Sequence, residues 1–353
     1  MNIYDAIENI QPASKEAYAA AQKRWDSIAK PLGSLGKLET AVCRMAAITG
    51  SANLSPLKKG VIVMCADNGV VQEGVTQTGQ EVTAVVTENM SKGITSVCKM
   101  SKIAGADIFP VDIGVCREVQ GDKILRKCVR RGGTRNMTKE PAMTRDETLQ
   151  ALETGIDIVT QLKAQGYGLL ATGEMGIGNT TTSSAVAAVL LKKSPGDVTG
   201  RGSGLSDEGL TRKIRAIEKA IEVTKPDPED GFDVLSKVGG FDIAGLAGVF
   251  VGGALNRIPV LVDGFISGVA ALVAITICPD VRDYIMGSHV SKEPAGAMVI
   301  QALELEPFLH AEMRLGEGTG AVAVMPILDM ALAVYCSMST FDEVSIEAYT
   351  PQN

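Results

Sequence analysis

The sequence predicts an α/β fold in which a parallel sheet is flanked by helices. Short apolar runs alternate with helical patterns along the middle of the chain, and the runs end in polar turns that contain glycine. This alternation is typical of parallel strands joined by crossover helices. The chain has 353 residues, which is more than one compact core usually holds. We therefore expect a large domain with a smaller one beside it.

The first fifty residues are predicted to be helical. Helical periodicity is strongest over Ala17–Ile28 and Leu38–Ile48. Between them, Lys30–Glu39 reads KPLGSLGKLE, and its proline and glycines indicate a connecting turn.

Strands begin after residue 55 and helices return near the C-terminus. The predicted strands are Gly60–Ala66, Ala106–Ile113, Tyr167–Ala171, Ile258–Val262 and Val281–Met286. From about Ala295 the pattern is helical again. We therefore place the large α/β domain at 55–295 and a small helical domain at 1–54 together with 296–353, because chain ends usually lie close together.

The composition argues against several functional classes. The 34 basic and 41 acidic residues give a net charge of −7, and aromatic residues are only 4%, so a nucleic-acid partner is not expected. The seven cysteines are scattered without a CxxC pair, which indicates reduced cytoplasmic thiols and neither disulfides nor a zinc site. Two histidines are too few for a histidine-rich metal site.

No membrane segment is expected. The two most apolar stretches, Ile243–Leu255 and Gly264–Cys278, are shorter than the roughly 18–20 residues that a membrane span needs. The N-terminus has no basic stretch leading into an apolar one, so no signal peptide is predicted. A cytoplasmic location follows as an expectation.

The turns that follow the predicted strands are the first candidates for a ligand site. They are Asp67–Gly69, Asp112–Gly114, Gly173–Asn179, Asp263–Gly264 and Gly287–Ser291. Each alone is better explained as ordinary turn chemistry. Ligands of open α/β sheets bind at the carboxyl ends of the strands, so five such turns at one edge predict a site there.

The familiar nucleotide and hydrolase motifs are absent. Gly33–Leu38 resembles a phosphate loop, but Leu38 stands where Ser or Thr must hold magnesium. Gly173–Asn179 lacks the GxGxxG spacing of a dinucleotide site. Neither GxSxG nor HExxH occurs, so the sequence has no motif of a serine hydrolase or a zinc protease.

Two glycine-rich segments suit an anion. Gly173–Thr182 precedes a helix of small residues, Ser183–Leu191, and the N–H groups at such a helix start bind phosphate or carboxylate. Gly200–Leu205 reads GRGSGL and precedes a helix for which Ser206 is the predicted N-cap. Lys213 on that helix either reaches back to an anion or is a solvated surface lysine.

A third segment, Arg314–Ala321, places a carboxylate between two glycines. Glu317 lies between Gly316 and Gly318, and glycines let backbone come close to a ligand. Glu317 is therefore either a general base or a loop carboxylate that caps the following helix.

Together these segments resemble the nicotinate-nucleotide–dimethylbenzimidazole phosphoribosyltransferase family, over essentially the whole chain. The motifs that carry the resemblance are KPLGSLGKLE, ADNGV with EGV, GEMGIGNTT, GRGSGL, GGFDIAGLAG, PVLVDGFIS, GSHVSKEP and RLGEGTGA. The resemblance implies a Rossmann-like parallel sheet with a small helical domain, and a homodimer. It also implies transfer of ribose 5-phosphate from nicotinate mononucleotide to 5,6-dimethylbenzimidazole or a related base. The products would be α-ribazole 5′-phosphate, for the nucleotide loop of cobalamin, and nicotinate.

The resemblance also implies roles for matching residues. Glu317 is the general base that takes the proton of the acceptor ring nitrogen, and Glu174 is the second active-site carboxylate. The residues implied to hold the nucleotide and its phosphate are Gly176, Gly178, Asn179, Gly202, Ser203, Lys213, Asp263 and Ser291. Those implied to line the acceptor-base pocket are Thr78, Val86 and Leu315. Nicotinate leaves from a nitrogen that is already cationic, so no general acid is needed, and the scheme requires no metal or cofactor.

This chain departs from the family pattern in two places. Asn68 stands where the family usually has histidine, and Thr78-Gly79 replaces Ser-Pro with Val86 in place of a pocket glutamine. We therefore hypothesise that other benzimidazoles, purines or phenolic bases are also accepted. Two alternatives are a subunit of a heterodimeric relative that acts on phenolic bases, and a generic nucleotide-binding oxidoreductase, which the absent dinucleotide motif disfavours.

Overall fold

A computed structural model describes residues 2–349. Its strands are β1 Lys58–Ala66, β2 Ala106–Gly114, β3 Leu125–Arg126, β4 Tyr167–Met175, β5 Val260–Leu261 and β6 Ile285–Met286. The first seven helices are α1 Ile3–Glu8, α2 Lys15–Ser27, α3 Lys37–Thr49, α4 Glu81–Ser91, α5 Ser96–Ala104, α6 Arg145–Ala164 and α7 Asn179–Leu190. The next seven are α8 Pro195–Val198, α9 Asp207–Thr224, α10 Gly231–Val238, α11 Phe241–Leu255, α12 Phe265–Ile277, α13 Gly296–Ala302 and α14 Thr319–Ser337.

The six strands form one parallel sheet in the order β3-β2-β1-β4-β5-β6. This is the Rossmann strand order, and it confirms the predicted α/β class. The chain leaves β1 toward one edge and later returns to β4 on its other side. The crevice outside the carboxyl ends of these strands is therefore the place where a ligand is expected.

The predicted turn Asp112–Gly114 is wrong, and the predicted turn Gly173–Asn179 begins only at Gly176, because the strands continue into both segments. Glu174 pairs with Met64 and Met175 with Cys65, so Gly173–Met175 is the end of β4. Similarly, β2 runs to Gly114. Glu174 is therefore held by a sheet, which fixes its position more firmly than a turn would.

The edge strands also differ from their predictions. Val281–Met286 is not a strand throughout, because a 3₁₀ helix occupies Pro279–Tyr284 and only Ile285–Met286 pairs with β5. Proline at the first position suits the start of a helical turn. The two-residue β3 at Leu125–Arg126 was not predicted, since it is too short for an alternating pattern.

The connector between α2 and α3, predicted at Lys30–Glu39, is a turn that is held by side-chain contacts. Lys30 and Glu39 form a buried ion pair at 2.7 Å, and the ammonium group lies 5.1 Å from the centre of the Trp25 ring. Glu39 also accepts the N–H of Leu35 at 2.9 Å. Both flanking helices are confirmed to within two residues of their predicted bounds.

One continuous hydrophobic cluster joins the chain ends to the sheet. It includes Ile3, Trp25 and Tyr335 from the terminal segments and Ile62 and Leu170 from the central strands. The domain boundaries at 54/55 and 295/296 stay a prediction.

Helix α14 is long and apolar enough to cross a membrane by length and composition alone. This helix was not predicted as a candidate span, since only the two shorter stretches Ile243–Leu255 and Gly264–Cys278 were considered. In the structure, 56% of its apolar window is buried inside the protein, which is the setting of a core helix.

Candidate active site

A cavity of about 320 Å³ opens beyond the carboxyl ends of β4, β5 and β6. Its lining residues come from the segments 75–78, 174–180, 201–205, 263–267, 289–293 and 313–319. Three of the five predicted turn segments, those after β4, β5 and β6, therefore contribute to one site.

The other two predicted turn segments are structural and lie outside the cavity lining. Asp67 accepts hydrogen bonds from the Thr83 hydroxyl and the Cys116 N–H, both at 2.7 Å. Asp112 forms an ion pair with Arg131 at 2.9 Å. These buried carboxylates hold the loops around the strand ends, which explains both segments without a ligand.

Asp263 anchors the segment that carries the candidate base. It follows β5, and its carboxylate accepts the N–H groups of Gly318, Gly320 and Ala321 at 3.2, 2.7 and 3.0 Å. Burial raises the pKa of Asp263 to about 6, although these donors oppose the rise. Asp263 thereby binds the N-terminus of α14, which is favourable for a negative charge. Its predicted contact with a nucleotide stays a prediction.

Glu317 is held in a left-handed backbone conformation. Its φ is +60°, and Gly316 and Gly318 beside it have φ of +86° and +94°. Such a conformation in a residue other than glycine costs free energy and persists only where the surroundings impose it. Asp263 on one side and Gly173 on the other supply these surroundings: a Cβ on Gly173 would lie 2.7 Å from the Glu317 carbonyl carbon.

The Glu317 side chain lies between the cavity and helix α5. Its Oε2 accepts the backbone N–H of Val97 at 3.1 Å. Burial raises the pKa of Glu317, and the N–H of Val97 opposes the rise. The alternative that Glu317 caps the following helix is wrong, since Asp263 binds the start of α14 and Glu317 binds the start of α5.

Glu174 is the second carboxyl group of the cavity. It is buried on β4 and accepts a hydrogen bond from the side-chain amide of Asn179. Burial, followed by repulsion from Asp242, raises the pKa of Glu174 to about 8. A carboxyl group with this pKa is largely protonated at neutral pH.

Asp242 is a buried acid that the sequence analysis did not single out as a site residue. It lies in the first turn of α11, and within residues 2–349 no hydrogen bond of good geometry satisfies either carboxyl oxygen. Burial raises its pKa to about 7, although the Asn179 amide and the Ile243 N–H are near enough to oppose the rise. The side chain therefore carries a proton over part of the neutral range.

We expect this buried acid to make stability depend on pH. Between its ordinary pKa of 3.8 and about 7, the folded protein keeps a proton that the unfolded chain has released. The free energy of unfolding therefore falls as pH rises through this window. Asp242→Asn removes the effect, so the stability of the variant relative to wild type should be greater by about 2–4 kcal/mol at about pH 8 than at about pH 5.

Urea unfolding at both pH values measures this difference. Asp122→Asn, at an exposed loop position, is the matched control and should show the same stability difference from wild type at both. An Asp242→Asn variant whose stability relative to wild type is the same at both pH values would contradict the raised pKa.

Lys213 and the start of α7 form a second part of the site. Lys213 is only 1% exposed, so its interpretation as a solvated lysine is wrong. Its ammonium group donates to the Thr180 hydroxyl at 2.7 Å and to the Gly200 carbonyl at 3.0 Å. Burial lowers the pKa of Lys213 to about 8. Thr180 lines the cavity, so Lys213 lies directly behind the wall at the N-terminus of α7.

Most of the predicted site residues lie on the cavity. Those that line it are Thr78, Glu174, Gly176, Gly178, Asn179, Gly202, Ser203, Asp263, Ser291, Leu315 and Glu317. Val86 is on α4, half-buried and packed against the hydrophobic core, and it is not among the lining residues. Asn68 is also outside the lining, since it is fully buried and accepts a hydrogen bond from Thr182 at 3.3 Å.

Several lining residues were missed by sequence reasoning. They are Thr180, Arg201, Phe265, His289, Glu293 and Arg314, among others. All six lie within the quoted motifs, so treating every residue of those motifs as a site candidate would have found them. Across residues 2–349, no group of three or more His, Cys, Asp or Glu side chains is arranged to hold a metal ion.

Comparison with known proteins gives one consistent result. A family model described as "Phosphoribosyltransferase" matches residues 10–346. A nicotinate-nucleotide–dimethylbenzimidazole phosphoribosyltransferase of Acetivibrio thermocellus is 51% identical, covering 99% of both chains, and one of Ruminiclostridium cellulolyticum is 49% identical with the same coverage. The crystal structure of CobT from Thermus thermophilus has a TM-score of 0.89 and 37% identity, covering 94% of this chain and 99% of that one. The chain belongs to the nicotinate-nucleotide–dimethylbenzimidazole phosphoribosyltransferase family.

Proposed function

We propose that this enzyme transfers ribose 5-phosphate from nicotinate mononucleotide to 5,6-dimethylbenzimidazole or a related base. The observation that carries the proposal is the convergence of Glu174, Asp263 and Glu317 on one cavity. They come from β4, the turn after β5 and the segment before α14, and they lie beside the N-terminus of α7. A helix N-terminus suits the phosphate of a nucleotide, and carboxyl groups suit the positive charge of its ribosyl carbon.

The chemistry follows from these charges. The bond between the ribosyl carbon and the nicotinate nitrogen breaks, and its electron pair neutralises the pyridinium ring, so no acid is needed. A ring nitrogen of the acceptor forms the new bond, and its other nitrogen loses a proton to Glu317. The raised pKa of Glu317 makes it a stronger base than an exposed glutamate. An arriving pyridinium cation also favours the ionised form of Glu174.

The phosphate is proposed to bind where α7 begins. Thr180 lies there, and the ammonium group of Lys213 is bonded to its hydroxyl. Gly202 and Ser203 also line the cavity, and a Cβ on Gly202 would lie 3.0 Å from the Thr180 hydroxyl. Because Lys213 has one charge and little solvent, its attraction to a phosphate is screened less than that of a surface lysine. The proposal needs no metal or cofactor.

We further propose that the acceptor pocket admits more than one base. Leu315 is 59% exposed at the cavity, and Thr78 lies on the loop 75–78 that borders it. An exposed apolar side chain beside a loop accommodates bases of different size. The alternative of a heterodimeric enzyme for phenolic bases has no support in the comparisons, whose relatives carry the dimethylbenzimidazole name.

A product assay tests the reaction and the acceptor range together. The purified chain is incubated with nicotinate mononucleotide and, separately, dimethylbenzimidazole, benzimidazole, adenine, phenol or p-cresol, and mass spectrometry identifies the ribotides. We expect the dimethylbenzimidazole ribotide together with at least one other. Dimethylbenzimidazole alone would contradict the broad pocket, and no ribotide from any base would contradict the proposed function.

We also propose a homodimer that acts in the cytoplasm. Exposed apolar side chains lie on or beside two neighbouring helices: Ile94 before α5, Ile103 on α5 and Met330 on α14 are 55%, 86% and 59% exposed. A second copy of the chain would cover them. All seven cysteines are free thiols, which suits a reducing compartment. No nucleic-acid or membrane partner is part of the proposal.

A further inference from the structure

The N-terminus of α5 lacks the side-chain cap that its sequence offers. Thr95 is at the N-cap position with extended backbone, yet its side chain makes no capping hydrogen bond. Its hydroxyl lies 3.2 Å from the Cys98 sulfur and also favours the ionised form of Glu317. The first turn of a helix leaves backbone N–H groups without partners, and a side chain at the N-cap usually accepts from one of them.

A residue 220 positions away supplies the missing acceptor. The N–H of Val97 donates to Oε2 of Glu317 at 3.1 Å. Glu317 thus takes the place of a capping side chain, although it belongs to the segment before α14. The positive end of the α5 dipole also favours a negative charge at this point.

The surroundings of Glu317 otherwise oppose its ionisation. Asp263, behind its backbone, and Glu174, on the neighbouring strand, are both acids that interact with it electrostatically, and burial raises its pKa further. On α5, Cys98 is the titratable side chain next to Thr95. Among the contributions to the pKa of Glu317, only the Val97 N–H and the Thr95 hydroxyl lower it.

We propose that the first turn of α5, Thr95–Val97, is a positioning device that holds Glu317 in the cavity as an ionised base. The uncapped Thr95 is part of the device, because a capping side chain there would compete for the Val97 N–H. The inference rests on the proposed function, in which Glu317 accepts the proton of the incoming base. It adds a role for a helix that contributes no lining residue to the cavity.

The test gives α5 a capping side chain at position 95. Thr95→Asp and Thr95→Asn both offer side-chain acceptors to α5 and differ mainly in charge. We expect both variants to keep or raise Tm, because these are favoured N-cap residues, and both to lose activity. The acid limb of the pH profile of kcat/KM should move up by about one pH unit in Thr95→Asp, and by less in Thr95→Asn. A defect in folding would lower Tm and activity together.

Three further measurements separate the outcomes. Thr95→Ser, which keeps the hydroxyl, should have the same pH profile as wild type. Lys102→Ala, at an exposed position in the last turn of α5, is the control for general changes in this helix. A carboxyl ¹³C NMR titration of Glu317 reads its pKa directly, and it remains informative if the wild-type chain forms no ribotide, which would count against the proposed function alone. A pKa of Glu317 that is the same in wild type, Thr95→Asp and Thr95→Asn would overturn the inference.

Discussion

The Glu317→Gln variant is expected to lose about 10²–10⁴-fold in kcat, with little change in the KM for nicotinate mononucleotide. The carboxamide keeps an oxygen that can accept the Val97 N–H, so the side chain can stay in place. It cannot take a proton at neutral pH. The loss should therefore fall on the chemical step, and steady-state kinetics with dimethylbenzimidazole measure it.

Glu312→Gln is the matched control for this substitution. Glu312 lies five positions earlier in the same segment and has the same left-handed backbone, with φ of +53°. Its side chain is exposed and pairs with Lys292 at 2.9 Å, and such surface pairs contribute little. We expect its kcat within about twofold of wild type. Equal activity of the two variants would rule out Glu317 as the base.

The Gly173→Ala variant is expected to lose about 10²-fold in kcat without any change of a polar group. The new Cβ would lie 2.7 Å from the Glu317 carbonyl carbon, which is closer than real Cβ contacts. Because β4 is held in the sheet, the segment that carries Glu317 must move instead. A displacement of about 1 Å in a catalytic group is enough for a loss of this size.

Gly168→Ala on the same strand separates this effect from a general loss of stability. Its Cβ would meet the end of the flexible Leu57 side chain at 2.8 Å, far along β4 from the cavity. We expect a modest fall in Tm and an unchanged kcat for it. If Gly173→Ala were to retain wild-type kcat, Glu317 would not depend on close contact with the strand.

Most of the fold could be predicted from the sequence, because the central strands have long apolar runs. The nine-residue strands β1, β2 and β4 have apolar runs that persist over several residues. Because helices connect these strands, they are expected to pair in parallel with one another. The two-residue edge strand β3 has no such pattern, and β6 is only the end of the predicted run Val281–Met286. They exist because the neighbouring strand offers hydrogen-bonding groups, which is a tertiary effect.

The site was predictable where local chemistry marks a residue. Glu317 stood out between two glycines, and the structure shows why: the backbone there is left-handed. No unusual neighbouring residue distinguishes Asp242 in the sequence. It is a first-turn aspartate like many others, and it becomes unusual only through burial without a well-formed hydrogen bond to any residue of 2–349. Burial of Lys213 was equally hidden, because a lysine on an amphipathic helix is ordinary in sequence.

Distant anchoring of Glu317 has a consequence for how the enzyme folds and loses activity. The hydrogen bond of Glu317 with Val97 spans 220 positions of the sequence, and that of Gly318 with Asp263 spans 55. Contacts between such distant positions form only when the sheet and the helices α5 and α14 are packed together. Local unfolding of α5 or α14 would therefore remove the base from its working position before the sheet itself unfolds.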